Sequence, residues 1–188
     1  MSGTSLGVNI PVLLCSVMVV VWLVPGGSWR DFLTGACAAV GALLIFLAVR
    51  RLFPGTGLWL PREEALMRLF LIALVEEGAK YCAVAPWRRP LSPARSALRG
   101  FGFASAEHLL FLLLSPGLFL RRLFLAGALH CSTALLYGRP WAWTRNGRPR
   151  PSTREAAPLV DSLLLLAGTG IHFCYNLLVL GLDAYLPI

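Results

Sequence analysis

Apolar residues fall in six long runs: residues 8–24, 32–49, 66–85, 98–114, 119–137 and 159–182. Each is close to the length that crosses a hydrocarbon core of about 30 Å at about 1.5 Å per helical residue. Helix-ending residues punctuate them. Pro25, Gly26 and Gly27 follow the first run, and Arg50 and Arg51 the second. A Gly/Pro-rich loop runs from Pro54 to Pro61. Pro86 to Pro90 closes the third run, with Trp87 as an interfacial anchor, and Ser115, Pro116 and Gly117 close the fourth. Pro11 falls in the first turn of the first run, where proline is tolerated. Glu63 and Glu64 begin an amphipathic lead-in to the third. Small residues at Gly35, Ala36, Ala38, Ala39, Gly41 and Ala42 predict close packing of the second helix. The pattern predicts an all-α membrane protein, one domain over residues 1–188, built as a bundle of about six transmembrane helices.

Composition agrees. The chain is 57% hydrophobic and 14% charged, against roughly 25% charged in soluble domains. The first run lacks a basic leader and a clear cleavage site, so it reads as a retained helix rather than a signal peptide. The five cysteines, Cys15, Cys37, Cys82, Cys131 and Cys174, all lie in apolar runs without a C-x-x-C pair. They read as small hydrophobes, not as a disulfide framework.

The net charge is +8, and Lys80 is the one basic residue that is not arginine. No basic domain is present to hold a duplex, so nucleic acid is excluded as a partner. The arginines sit in short loops and set orientation instead. Ten lie in the loops after the first, third and fifth runs, and six on the opposite side. This bias predicts both termini outside and the polar 139–158 loop in the cytosol.

The third run breaks the pattern. It is apolar enough to span, yet it carries Glu76, Glu77 and Lys80 near its middle. One charge at a helix centre costs roughly 2.5–3.5 kcal/mol, so three facing lipid would cost on the order of 8–10 kcal/mol. They must face protein or water. Other runs carry matching groups: Glu107 and His108 in the fourth, His130 in the fifth, His172 and Asn176 in the sixth. Glu77 lies nine residues before Pro86, Glu107 eight after Arg99, and His130 nine before Arg139. All three are therefore roughly 12–14 Å from the same membrane face. His172, fourteen residues after Pro158, fits only if the sixth helix starts before the membrane or bends at Gly168–Gly170. Within helices, Glu76 and Lys80, Phe103 and Glu107, and His172 and Asn176 are each four apart and share a face. Gly100, Gly102, Ala104 and Ala106 make the fourth helix thin, so a neighbour or a substrate backbone can approach.

A carboxylate and imidazoles in a dry pocket can activate water and stabilise an oxyanion, and Asn176 adds an amide donor. Lys80 can keep one glutamate ionised. The same atoms offer a divalent ion three ligands: His130, His172 and either Glu77 or Glu107. H-E-x-x-H is absent, so spacing gives the metal no direct support. A lone intramembrane histidine is usually a packing residue. His108 points about 100° away from Glu107, and Tyr81, Tyr137 and Tyr175 read as packing or interface residues. Polar groups at one depth on several helices are not explained that way.

Four elements in order carry a resemblance. They are Glu76-Glu77-Gly78-Ala79-Lys80, the stretch Phe101 to Glu107, His130 with Thr133 and Gly138, and His172 to Asn176. Together they resemble the PrsW-type intramembrane proteases, within the wider superfamily of CAAX prenyl-endopeptidases and bacteriocin-processing enzymes. Lys80 and Glu107, where the CAAX branch has arginine and histidine, point to the PrsW branch. His108 stands where asparagine is expected. The resemblance covers about residues 66–182. It implies a multi-pass bacterial cell-membrane protease that cuts a membrane-protein or peptide substrate in the bilayer, with anti-sigma factors the best-known substrates. It implies that Glu76 with Glu107 prepares the water, that His172 and Asn176 hold the oxyanion, and that Lys80 pairs with Glu77. His130 is then a second donor or a metal ligand, and Phe103 and His108 support the site. The resemblance allows a glutamic mechanism without a cofactor, which we favour, or dependence on zinc or another divalent ion. Two other classes use the same buried groups: a non-catalytic scaffold similar to the one in gamma-secretase, and a small transporter.

Overall fold

The computed structural model describes residues 17–19, 21, 23, 24, 26–52, 63–85, 91–114, 119–138, 144, 145, 148, 149 and 157–185. The described chain is helical: α1 Trp29–Leu52, α2 Glu63–Val84, α3 Pro93–Leu114, α4 Phe119–Tyr137 and α5 Ala157–Tyr185. A two-residue antiparallel ladder, β1 Thr144–Arg145 with β2 Arg148–Pro149, lies in the polar loop. α1 to α5 correspond to the second to sixth predicted helices. Most of the first lies outside the described residues; positions 17–19, 21 and 23 are helical. Cys37, Cys82, Cys131 and Cys174 are free thiols.

Local chemistry explains the ends. Gly26, at φ +69°, turns the chain out of the first helix. Ser28 Oγ caps α1 by accepting from the Asp31 amide at 3.3 Å. Ser92 does the same for α3 through the Arg95 amide, with Pro93 preset for the first helical position. The helix therefore begins five residues before the predicted boundary at Leu98. α2 begins at Glu63, so the acidic lead-in is part of the helix.

Burial runs opposite to that of a soluble protein. Glu77, Lys80, His108, His130 and His172 are all 1% exposed or less, while Leu44, Leu47, Leu159, Leu163 and Leu166 face outward. Apolar outside and ionisable inside is the order a bilayer imposes. α1 and α5 contain stretches, Trp29–Val49 and Leu159–Val179, long and apolar enough to cross a membrane. α2 carries six charged residues, which lower its mean hydropathy.

α3 is the central helix, packed on both α1 and α4. The predicted thinness of α3 admits neighbours. A Cβ on Gly102 would lie 2.9 Å from the Phe32 carbonyl carbon of α1, and one on Gly100 would lie 2.9 Å from Cys131 Cα of α4. At the end of the bundle nearest these chain turns, Asp31 accepts from Arg95 Nε at 2.9 Å and Arg99 Nη2 at 2.8 Å. Arg99 also donates to the Ala83 carbonyl at the end of α2. Asp31 and Arg99 together thus tie α1, α2 and α3. The carboxylate beside Arg95 raises its guanidinium further above the ordinary value.

Candidate active site

The polar residues of α2 to α5 converge inside the bundle. Glu77 is sealed, at 0% exposure. Its Oε1 accepts from Lys80 Nζ at 2.5 Å and lies 2.8 Å from His172 Nδ1. Its Oε2 accepts from the Tyr137 hydroxyl at 2.7 Å. Spacing on α2 left open which glutamate Lys80 joins; the ion pair is with Glu77. Lys80 also donates to Thr133 Oγ1 at 3.0 Å and lies 5.0 Å from the centre of the Phe103 ring.

His172 joins the two glutamates. With Nδ1 on Glu77, its Nε2 sits 3.3 Å from Glu76 Oε2. Glu77 is held by an ammonium and a phenol, which fits an ionised acceptor, so the His172 Nδ1 proton points at it and Nε2 is left for Glu76. His130 Nε2 lies 2.5 Å from Glu107 Oε2, and its ring meets that of His172 edge-on at 5.2 Å. Two imidazole–carboxylate pairs thus stand side by side.

The carboxylates differ in access. The Glu76 side chain is 20% exposed and that of Glu107 13%, against 0% for Glu77. Glu76 and Glu107 also line a cavity of about 220 Å³ between α1, α2 and α3. Phe103 belongs to both regions, its ring 5.1 Å from that of His130 and its edge on the cavity. Asn176 is buried one turn beyond His172. His108 is buried with Nδ1 on the Ala104 carbonyl of its own helix, the reading that its angle from Glu107 suggests.

His172 reaches this layer without a bend: α5 is one unbroken helix through Gly168 and Gly170. Its 29 residues make roughly 43 Å of helix, longer than a hydrocarbon core, the length that a start before the membrane requires. Gly168 has a different use. Its Cα packs against the Tyr137 hydroxyl end, and a Cβ there would lie 2.8 Å from Cζ. Sequence reading placed Tyr137 among packing or interface residues; it is buried and donates to Glu77. Thr133 stands in the His130 element without an assigned role and accepts from Lys80, and the α1 wall of the cavity has no signal in the sequence. The signal for Tyr137 was its one-turn distance from Thr133 and its glycine partner on α5.

A family model described as PrsW family intramembrane metalloprotease matches residues 28–187. The chain belongs to this family. It is a membrane protein, and PrsW membership supports intramembrane proteolysis as its activity. No curated protein and no solved structure matches the chain. The family description calls for a metal, and one trio among the described residues fits by donor type. Glu77, His130 and His172 each offer an atom within 4.8 Å of the others, and all three are buried. Two imidazoles and a carboxylate are a zinc-type set, although the Lys80 ammonium already lies against Glu77.

Proposed function

We propose that this PrsW family member is a multi-pass intramembrane endopeptidase of a bacterial cell membrane, with six spans, both termini outside and the 139–158 loop in the cytosol. It hydrolyses a peptide bond of a membrane protein, in the manner of an anti-sigma-factor site-1 protease. The observation that carries the mechanism is His172 bridging a sealed Glu77 and an accessible Glu76. Water held at Glu76 attacks the substrate carbonyl carbon and gives its proton to the Glu76–His172 pair. The oxyanion that forms is held by the Asn176 amide and by His172 Nε2–H once that nitrogen carries the transferred proton. Collapse breaks the C–N bond, and the stored proton goes to the departing amine. Glu77, neutralised by Lys80 and braced by Tyr137, fixes the His172 ring and its tautomer. Glu107 and His130 form the second acid–base pair facing the same cavity, and Phe103 and His108 pack around it.

The trio of Glu77, His130 and His172 supports a second reading, in which those residues hold a divalent ion. When bound, such an ion supplies a Lewis acid that polarises the carbonyl and acidifies water. We favour the metal-free form because a second cation beside Lys80, in a buried site, meets strong repulsion. The test is cleavage of a single-span peptide by purified protein in proteoliposomes, before and after chelation. We expect activity to survive. Activity lost to chelation and restored by stoichiometric zinc establishes the metal reading instead. Absence of cleavage alongside solute flux moves the protein to the transporter class.

A further inference from the structure

The cavity at Glu76 and Glu107 has an apolar wall that hydrolysis does not use. α1 and α3 meet backbone to backbone where Gly35 abuts the Arg99 carbonyl and Gly102 the Phe32 carbonyl. Helices that touch at glycines and cross at an angle separate beyond the contact. Farther along α1 the facing residues are Ala39 and Ala42, then Leu43 and Phe46, and the space opposite Phe103 is the cavity. Its volume of about 220 Å³ exceeds that of an apolar cavity of about 150 Å³ known to hold benzene. A helix with its side chains is about 10–12 Å across, too wide for this space. Only a side chain, or a short unwound piece of chain, can enter. The two carboxylates on its wall are already engaged, Glu107 by His130 at 2.5 Å and Glu76 with His172 at 3.3 Å.

We propose that this cavity is the specificity subsite: it takes one large apolar side chain, of the leucine or phenylalanine class, next to the scissile bond of the membrane segment. This rests on the protease reading above. Seating that side chain between α1 and α3 brings the adjoining carbonyl to Glu76. It also selects substrates whose membrane segment has already unwound at that point. A polar or basic side chain is desolvated there against a wall that is apolar apart from two carboxylates already shared with His172 and His130.

The probes are transmembrane peptides of about 20 residues built on Ala and Val, each with Ala, Leu, Phe or Lys beside a central Gly-Ser step. They are reconstituted with the full chain and kcat/KM is measured. We expect Leu and Phe to exceed Ala by at least about tenfold, because even one methylene in such a pocket is worth roughly 10–200-fold. Phe46→Ala should shift the preference towards Phe, and Ala39→Leu towards Ala. These ratios do not depend on how much protein folds. A preference for Lys, or ratios that neither variant moves, overturns the proposal. A second arm does not need cleavage. A probe carrying benzoylphenylalanine at the varied position is cross-linked to the Glu76→Gln protein and mapped. Adducts at Leu43 or Phe46 support the subsite even if no peptide is cut, in which case only the protease reading fails. Adducts elsewhere, or none, overturn it.

Discussion

Two buried carboxylate clusters among the described residues are built differently. At the end of the helices Asp31 is 1% exposed and receives two guanidinium groups, with both oxygens occupied. Midway along the helices, the acceptors are divided. Glu77 takes Lys80, Tyr137 and His172, and is as saturated as Asp31. Glu76, next in the chain and about 100° round the helix, opens on the cavity and approaches His172 at 3.3 Å. A saturated carboxylate holds structure together. One that keeps an open side beside a positioned imidazole can exchange a proton with a bound molecule. The inner cluster pairs one of each kind on adjacent residues.

The largest test of that distinction is Glu76→Gln against Glu77→Gln. Glutamine keeps the size and hydrogen bonding of either side chain but removes the base. Glu76→Gln should lower cleavage by about 10²–10⁴-fold, the usual contribution of a general base, while the protein accumulates in the membrane. Glu77→Gln should keep residual activity per folded molecule and lose stability, because the Lys80 ammonium is left buried and unpaired. Cleavage of a reconstituted peptide, normalised to folded protein in detergent, reads both. The reverse result swaps the roles. Activity retained by both variants removes the glutamic mechanism.

The second test breaks the outer cluster. Asp31→Ala strands two guanidinium groups. Loss of one partner from a fully buried pair costs about 3–5 kcal/mol, and less here, since Arg95 is 43% exposed and can turn to water. The thermal midpoint in detergent should fall, and kcat per folded molecule should stay within a few-fold of the original. If kcat collapses while the midpoint holds, the outer cluster takes part in the chemistry, and the contrast between the two regions is wrong.

Much of this was legible in the chain. The helices α1 to α5 follow from apolar run length, and the meeting of Glu77, Glu107 and His130 from their equal distance to helix ends. Pairing was less legible. Spacing on α2 allowed Lys80 to join either glutamate, because i+3 and i+4 neighbours are equally near; the choice was made by Thr133 and Phe103 on other helices. Arg95 and Arg99 read as loop charges that orient the chain, and their partner Asp31 was not singled out, since one acid near a helix start is ordinary. The cavity was invisible because it depends on the angle at which α1 leaves α3. The stripe of small residues on α1 announced close packing, whereas the space comes from where that packing stops.

The smallest expected effect, and the finest test of saturation, is Tyr137→Phe. The ring stays, lying on Gly168 and 5.5 Å from the Tyr81 ring, so packing is kept and only the hydroxyl is lost. Glu77 then keeps two of three donors, Lys80 and His172. A hydrogen bond to a charged group is worth about 1.5–3 kcal/mol, and a stability loss of that size should appear in detergent unfolding. Catalysis should fall less than tenfold, because Lys80 still neutralises Glu77 and Glu77 still orients His172. Loss of Lys80, by Lys80→Met, should be far more severe, because it leaves Glu77 an unneutralised buried charge. If instead Tyr137→Phe is as inactive as Glu76→Gln while folding normally, the hydroxyl itself reaches the reacting atoms. Glu77 then belongs to the chemistry through it, and the division between the saturated and the open carboxylate no longer holds.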